Sequence, residues 1–327
     1  MEYREIGRSG LKVSALGLGT MNFGSDWHGI GEVGEKTARR LVDMAAEAGV
    51  NLIDTADVYG YGAAEKLLGK ILKGRRDKFV IATKVLGHMR PGDPSSGGLS
   101  RKHIQKGLDE SLARLGTDYV DLYMPHGPDP KVPLEESLEA FDRAVRAGKA
   151  RVLGCSNFDA GAWRCSLSWA REHEAPRFEF DQVQFSLAAP CAGVDLAPVC
   201  RKEGTSLLAW SPLGGGLLSG KYMGGRRRPA GRRKEPRDAF PYFPEKRLAG
   251  MLRLLEKVAR LEGVSMARAA LGWVLAKSWV CGVIVGARTP RQLAESIKAG
   301  PVSGRSLDLL DRGAAVLTER PAASRGA

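Results

Sequence analysis

The feature that most constrains the fold is a repeated alternation of short apolar runs with longer amphipathic ones. Eight runs rich in valine, isoleucine and leucine predict strands, at Ala15–Gly19, Asn51–Thr55, Phe79–Lys84, Val120–Met124, Arg151–Cys155, Asp181–Phe185, Ser206–Trp210 and Gly282–Val285. Helical patterns separate them, most clearly at Glu35–Ala48, Arg101–Leu115, Leu134–Ala147, Ala249–Leu261 and Ser265–Ala276. This alternation is typical of parallel βαβ units.

Signals at the ends of the helical patterns support this division. Ser100 precedes a helical run as an N-cap does, and Gly49, Gly116 and Gly148 follow helical runs as C-cap glycines do. Eight buried strands in an α/β chain predict a closed (β/α)8 TIM barrel rather than an open sheet.

The rest of the chain is expected to decorate a single barrel domain over residues 1–327. The segments Arg4–Gly7 and Leu11–Ser14 predict a small β-hairpin ahead of the first barrel strand. A flexible basic loop is expected at about 222–240, and a short polar tail after Pro301.

Composition argues against several classes of protein. No run of 18 apolar residues predicts a membrane span, and no apolar leader opens the sequence, so a cytoplasmic protein is expected. The five cysteines are odd in number and follow no metal or disulfide spacing, which favours reduced thiols and no metal site.

Nearly half of the net charge of +13 comes from one segment. Residues 225–237 hold seven basic residues and one acid, a local excess of +6. A short basic run without interleaved aromatic residues gives only salt-sensitive attraction to nucleic acid, so no specific nucleic-acid partner is expected. The segment is instead interpreted as a lid over a bound pyrophosphate, as a solvated loop, or as a selector of an anionic substrate.

Polar side chains stand at the carboxyl ends of three consecutive predicted strands. The second strand ends near Asp54 with Tyr59 just beyond it, the third ends at Lys84, and the fourth is followed by His126. In a parallel barrel these strand ends meet at one mouth, where the chemistry lies. We therefore expect an acid, a phenol, an amine and an imidazole to converge.

These four groups suit the delivery of a proton to a carbonyl oxygen that receives a hydride. Tyr59 can give that proton as a general acid. The pKa of free tyrosine is about 10, and a nearby Lys84 ammonium lowers it by stabilising the phenolate. Asp54 would hold Lys84 charged, and His126 would donate a hydrogen bond to the substrate oxygen.

Taken singly, most of these residues also have a structural interpretation. An aspartate at a strand end often caps a turn, a tyrosine usually packs, and a lone histidine is often a satisfied structural side chain. A lysine at a strand end is unusual, because an unpaired charge is costly inside a barrel. Together, on consecutive strands, the four residues favour function.

Several motifs resemble the aldo-keto reductase family, and the resemblance covers roughly residues 3 to 300. They are I-D-T-A-D-V-Y-G followed by A-E-K-L-L-G-K, L-G-T-D-Y-V-D-L-Y-M-P-H-G-P-D, G-C-S-N-F and I-V-G-A-R-T-P-R-Q-L. The resemblance implies NADP(H)-dependent reduction of an aldehyde or ketone. It also implies that Asp54, Tyr59, Lys84 and His126 form a catalytic tetrad, with Tyr59 as proton donor.

The same resemblance implies a path for NADP(H) across the barrel mouth. The cofactor-binding residues would be Gly19, Thr20, Met21, Asp54, Ser156, Asn157, Gln182, Trp210, Ser211, Leu213, Gly215, Lys221, Gly286, Arg288, Thr289, Gln292 and Ser296. Ser156, Asn157 and Gln182 would bind the nicotinamide carboxamide, and Trp210 would stack on the nicotinamide ring. The adenosine end would be held by Gly286, Arg288, Thr289, Gln292 and Ser296. Arg288 would suit a 2′-phosphate, which favours NADP(H) over NAD(H). Ser296 and Met124 depart from the family, which often has asparagine and glutamine there.

Loops after the strands are expected to select the substrate. Phe23, Trp27, His88 and Met89 would line a moderately apolar pocket for a small carbonyl compound, or simply pack. The sequence leaves the identity of the substrate, the direction of the reaction and the oligomeric state open.

A second hypothesis is a cofactor-binding regulatory subunit or partner-binding module with little turnover, since a fold does not fix a function. Such a module would need an exposed apolar patch or a long partner-binding extension, and the sequence predicts neither.

Overall fold

Eight parallel strands close into a barrel in the computed structural model, as predicted. The barrel strands are β3 (Leu16–Gly19), β4 (Leu52–Asp54), β5 (Val80–Val85), β6 (Val120–Pro125), β7 (Ala150–Ser156), β8 (Phe178–Gln184), β9 (Ser206–Trp210) and β10 (Val280–Gly286). Consecutive strands are neighbours, and β10 pairs with β3 to complete the ring. The predicted hairpin is confirmed as β1 (Tyr3–Glu5) and β2 (Lys12–Ser14), which pair antiparallel.

The structure describes residues 1–26, 29, 31–221, 223 and 245–318. Trp27 and the predicted basic loop at about 222–240 lie outside the described residues, Met223 excepted.

Helices surround the barrel over the described residues. They are α1 (Glu35–Glu47), α2 (Ala63–Leu72), α3 (Arg101–Leu115), α4 (Leu134–Arg146), α5 (Ala160–Glu172), α6 (Cys191–Asp195), α7 (Ala197–Glu203), α8 (Glu245–Leu261), α9 (Met266–Leu275), α10 (Pro290–Ile297) and α11 (Gly304–Thr318). The five helices delimited from sequence are confirmed to within a few residues. Ser100 caps α3 by accepting a hydrogen bond from the backbone N–H of His103 at 3.3 Å.

The expectation of a short polar tail after Pro301 is wrong for residues 304–318. These residues form α11, whose Leu310, Ala314 and Leu317 are buried. The helix packs mainly against α8. Its apolar residues recur at helical spacing, which is the signal that sequence analysis missed.

Nearly all residues of the barrel strands are buried or half-buried. One apolar cluster fills the barrel and includes Leu52, Leu122 and Phe180, together with Ile6 and Val13 of the hairpin region. A larger cluster lies between the outer faces of the strands and the helices. The hairpin therefore closes the amino-terminal end of the barrel, and the carboxyl end is left for the site.

The hairpin is fixed at that end by one arginine. Arg4 donates hydrogen bonds to the carbonyl oxygens of Val280 at 2.8 Å and Leu275 at 2.7 Å. These carbonyls belong to the start of β10 and the end of α9, so a single guanidinium joins three elements.

Close backbone packing holds α9 against the chain that follows α10. A Cβ added to Gly272 would lie 2.3 Å from the carbonyl oxygen of Gly300.

We expect Gly272→Ala to destabilise the protein by about 1–3 kcal/mol and to lower its Tm. Gly250→Ala in α8 is the matched control, because nothing lies within 4 Å of its Cβ position, and alanine there should leave Tm unchanged or raise it. An unchanged Tm for Gly272→Ala would contradict this packing.

Candidate active site

Three adjacent strands bring the predicted tetrad to the barrel mouth. Asp54 ends β4 and Lys84 lies near the end of β5, in register with Met124 of β6. His126 follows β6 directly, and its backbone N–H donates to the carbonyl oxygen of Val85 at 2.9 Å. Tyr59 lies in the segment 55–62 between β4 and α2.

Lys84 is the centre of the arrangement. Its side chain is 0% exposed, and its Nζ donates to both carboxylate oxygens of Asp54 at 2.8 Å and to the carbonyl oxygen of Thr55 at 2.7 Å. Nζ also lies 3.3 Å from the phenol oxygen of Tyr59. Burial opposes the charge, but Asp54 and Tyr59 outweigh it, so the pKa of Lys84 lies above its usual value.

Asp54 is held from the far side of the barrel as well. The amide Nε2 of Gln182, on β8, donates to Asp54 Oδ1 at 2.7 Å. The hydroxyl of Thr20, at the end of β3, donates to the Asp54 backbone carbonyl at 2.9 Å. The carboxylate therefore has a fixed orientation toward Lys84.

His126 faces Tyr59 in a neutral state. The two ring centroids are 5.5 Å apart with an interplanar angle of 73°, an edge-to-face contact. Burial, and then the charge of Lys84, lower the pKa of His126 to about 3. A neutral imidazole keeps one N–H, which can donate a hydrogen bond to an oxygen at the mouth.

The combined geometry can deliver a proton. A phenol O–H beside a buried ammonium can release its proton, because the ammonium stabilises the phenolate that remains. The imidazole beside it can hydrogen-bond the oxygen that receives the proton. These are the properties of a general-acid site for an oxyanion.

The residues expected at the nicotinamide form a second connected group on β7, β8 and β9. The Trp210 indole N–H donates to Asn157 Oδ1 at 2.9 Å. Asn157 Nδ2 donates to the His126 carbonyl oxygen at 3.2 Å and to the Ser156 hydroxyl at 3.0 Å. The Ser156 hydroxyl in turn donates to the Gln182 carbonyl oxygen at 2.8 Å. Asn157 thus fixes the half-buried indole at the mouth.

A glycine-rich turn follows β9. Gly214, Gly215 and Gly216 all have positive φ, within a 3-10 segment that spans Gly214–Ser219. The Gly215 N–H donates to the Ser211 hydroxyl at 3.2 Å. The turn also places the Lys221 ammonium over Gly216, since a Cβ there would lie 2.6 Å from Nζ. The predicted residue Leu213 precedes this turn and is half-buried.

The residues expected at the adenosine end surround the start of α10. Thr289 is its N-cap and accepts from the Gln292 N–H at 3.3 Å. Gln292 Oε1 accepts from the Arg288 N–H at 2.8 Å, and Gly286 is exposed. Ser296 is 6% exposed and its hydroxyl donates back to the Gln292 carbonyl oxygen at 3.2 Å. The Ser296 hydroxyl is therefore bonded to the backbone of its own helix, α10.

The structure places the remaining predicted residues unevenly. Gly19 and Met21 flank Thr20 at the end of β3, beside Asp54. His88 is exposed and Met89 is half-buried in the loop after β5. The prediction that Phe23 lines the pocket is corrected, because Phe23 is 0% exposed and belongs to the apolar core.

A buried polar cluster that was not predicted from the sequence lies around Asp57, two residues before Tyr59. Glu65 of α2 accepts from the Thr83 hydroxyl at 2.6 Å and pairs with Arg114 of α3 at 2.6 Å. Asp57 is 1% exposed, and burial followed by the charge of Glu65 raises its pKa to about 8. The second aspartate of the D-T-A-D segment was the available signal.

The described residues contain no group of three or more histidine, cysteine, aspartate or glutamate side chains that could hold a metal ion. No helix among those residues is long and apolar enough to cross a membrane.

Comparison with known proteins agrees with this geometry. The aldo/keto reductase family model matches residues 15–312, and the chain belongs to this family. Members act on small-molecule carbonyl compounds and generally use a nicotinamide cofactor.

Three relatives align along most of their length. An uncharacterised oxidoreductase, YrpG, of Bacillus subtilis is 39% identical, covering 93% of this chain and 92% of its own. Protein tas of Escherichia coli is 35% identical, covering 91% and 93%. A putative voltage-gated potassium channel subunit beta of Schizosaccharomyces pombe is 35% identical, covering 91% and 87%. Family membership and the first of these names support an oxidoreductase.

The depressed pKa of His126 gives a direct test of the electrostatics at the mouth. We expect its imidazole to stay neutral as the pH falls from about 8 to about 5, whereas an unperturbed histidine titrates near 6.5. Long-range ¹H–¹⁵N NMR of the ring nitrogens measures this, with His126→Gln to assign the signals. A ring that becomes protonated near pH 6.5 would show that Lys84 and burial do not act on it as described.

Proposed function

We propose that this protein reduces an aldehyde or ketone to an alcohol with NADPH, and that Tyr59 is the general acid. The observation that carries the proposal is the buried Lys84 ammonium, which contacts both Asp54 and the phenol oxygen of Tyr59. An ion pair of this kind is costly to bury, and it is explained if Lys84 stabilises a phenolate during the reaction.

Each residue of the tetrad then has one role. Tyr59 donates its proton to the carbonyl oxygen as negative charge develops there. Lys84 stabilises the phenolate, and Asp54 keeps Lys84 charged and directed at Tyr59. The neutral His126 donates a hydrogen bond that orients and polarises the same oxygen. NADPH, when bound, supplies the hydride.

The residues at the mouth fit a dinucleotide. The half-buried indole of Trp210 offers a flat apolar face for a nicotinamide ring. Gly215 and Gly286 have nothing within 4 Å of a Cβ position, which leaves room for a ligand close to the backbone. Thr289 at the start of α10 and the guanidinium of Arg288 would bind phosphate. Ser156, Asn157 and Gln182 would hold the carboxamide edge or fix its neighbours.

The basic segment 225–237 fits either of two roles in this proposal. Its positive charge would attract either the pyrophosphate of NADPH or an anionic carbonyl substrate.

A second candidate function is regulation of a membrane protein, and one observation favours it. The relative from Schizosaccharomyces pombe is named as a potassium channel subunit. In that case cofactor binding would remain and turnover would be slow, so the rate of the wild-type protein on carbonyl compounds separates the two functions.

The role of Tyr59 is tested by Tyr59→Phe. We expect kcat for aldehyde reduction to fall about 10²- to 10⁴-fold, because general acid catalysis is lost, while NADPH affinity and Tm stay close to wild type. Tyr61→Phe is the matched control, since Tyr61 lies two residues further on and is 47% exposed. Steady-state NADPH oxidation with an aldehyde and ketone panel measures the effect. Full turnover in Tyr59→Phe would eliminate it as the proton donor.

The choice of cofactor is tested at Arg288. We expect Arg288→Gln to weaken NADPH binding about tenfold or more, through loss of a charge-assisted pair with the 2′-phosphate, and to leave NADH binding unchanged. Arg291→Gln is the control, because Arg291 is an exposed arginine of α10 only three residues after Arg288. Quenching of tryptophan fluorescence reports binding. If Arg288→Gln weakened the binding of NADPH and NADH equally, Arg288 would not be the residue that recognises the 2′-phosphate.

A further inference from the structure

Asp57 is a buried acid that the proposed mechanism does not use. It lies in the segment that carries Tyr59, between Asp54 and Tyr59 in sequence, and is 1% exposed. Its backbone N–H donates to the backbone carbonyl oxygen of Lys84 at 3.2 Å. This hydrogen bond ties the segment to β5 at Lys84, whose side chain lies at the centre of the site.

The cation near Asp57 is already engaged by another acid. Arg114 Nε contacts Glu65 Oε2 at 2.6 Å, and the other oxygen of Glu65 accepts from Thr83. Asp57 Oδ1 accepts from the Val58 N–H at 2.6 Å. Its Oδ2 is buried and has no hydrogen-bond partner among the described residues. A carboxylate held this way would be a second buried anion with no cation of its own.

Groups on every neighbouring element bear on this carboxyl. Burial comes first and Glu65 of α2 second in raising the pKa of Asp57, to about 8. The Val58 N–H, Arg114 of α3 and Lys84 of β5 act in the opposite direction. Tyr123 of β6 also lies within electrostatic reach, because Asp57, Glu65 and Asp109 of α3 contribute to raising the pKa of its phenol. Asp57 is therefore a neutral acid at pH 7.

We propose that Asp57 is a positioning residue that must be uncharged for Tyr59 to release its proton, so that ionisation of Asp57 limits carbonyl reduction at alkaline pH. The inference rests on the proposed function. Asp57 stands outside the proton-transfer site and acts on it only through its charge state, not on the substrate.

The physical reason is the number of negative charges that the Lys84 ammonium must balance. With Asp57 neutral, Lys84 balances Asp54 and can also stabilise the developing Tyr59 phenolate. An ionised Asp57 would interact first with Arg114, which already pairs with Glu65, and then with Lys84, so part of the Lys84 charge would offset a second carboxylate in a poorly screened interior. The phenolate then becomes a third anion, and proton donation slows.

Asp57→Asn is the sharpest variant, because it is neutral at every pH and keeps an oxygen that accepts from the Val58 N–H. Asp118→Asn is the control, since Asp118 is exposed after α3. At pH 6.5 we expect kcat/KM of Asp57→Asn within about twofold of wild type. At pH 9, about one unit above the pKa of Asp57, we expect it to exceed wild type roughly tenfold, because only the wild type loses its active protonation state. The remaining alkaline limb would belong to Tyr59 itself.

A purely structural role for Asp57 predicts a different profile. Asp57→Asn would then lower activity by the same factor at pH 6.5 and pH 9, and the alkaline midpoint would stay at the wild-type value. Either result overturns the proposal. If wild type reduces no member of the carbonyl panel, the proposed function itself fails, which is distinct from normal turnover with an unshifted pH profile.

Stability gives a readout that does not depend on activity. The pKa of Asp57 is about 3.9 when unfolded and about 8 when folded. Between these values the folded protein retains a proton that the unfolded chain releases, so stability declines as pH rises from about 4 to about 8. We expect the Tm of Asp57→Asn minus that of wild type to grow over this window. A Tm difference that does not change with pH would show that Asp57 is not neutral in the folded protein.

Wild-type protein labelled with ¹³C-aspartate covers the case in which Asp57→Asn does not fold. Two side-chain carboxyl resonances should titrate far above the others, that of Asp57 near pH 8 and that of Asp181, whose pKa burial also raises. Asp181→Asn identifies which of the two belongs to Asp57. Ionisation of the Asp57 carboxyl by pH 6.5 would overturn the proposal.

Discussion

The buried Lys84 ammonium is the interaction on which the rest of the site depends. An isolated charge in the interior of a barrel is strongly unfavourable. Here it is balanced by Asp54 of β4, the carbonyl of Thr55 and the phenol of Tyr59. Since Gln182 of β8 also bonds Asp54, the pair joins opposite walls of the barrel. Loss of one partner would leave a buried charge unpaired, so the position of Tyr59 and the ion pair are set together.

The barrel brings separated segments to this charge without long loops. Asp54 ends β4, Lys84 lies next to the end of β5, and His126 directly follows β6. The ends of β7, β8 and β9 carry the residues connected to Trp210. Asn157, with φ 57°, contacts both halves, because it bonds the indole of Trp210 and the backbone of His126. We infer that a nicotinamide ring on Trp210 and a carbonyl oxygen at Tyr59 would occupy one continuous mouth.

The sequence predicts structure correctly where a local pattern of apolar residues determines it. The strands are rich in apolar residues, so their runs are visible in the sequence, and parallel pairing brings Asp54, Lys84 and His126 to one end. The helical spacing of the apolar residues in α11 was visible as well, although polar residues interrupt it. Prediction fails where three-dimensional packing decides, as at Phe23, which lies in a loop yet is fully buried. The environment of Asp57 depends on Glu65 and Arg114 from two helices, which no spacing along the chain reveals.

The measurement that tests the central claim most directly is the transfer of deuterium from NADPH that carries deuterium at both C4 positions. The protein is incubated with a panel of aldehydes and ketones, and the alcohols are analysed by mass spectrometry and NMR. The account predicts one deuterium on the former carbonyl carbon, formed by wild type and lost with Lys84→Met, which removes the charge but keeps much of the apolar stem. No alcohol from folded wild-type protein, or alcohol without deuterium, would contradict it.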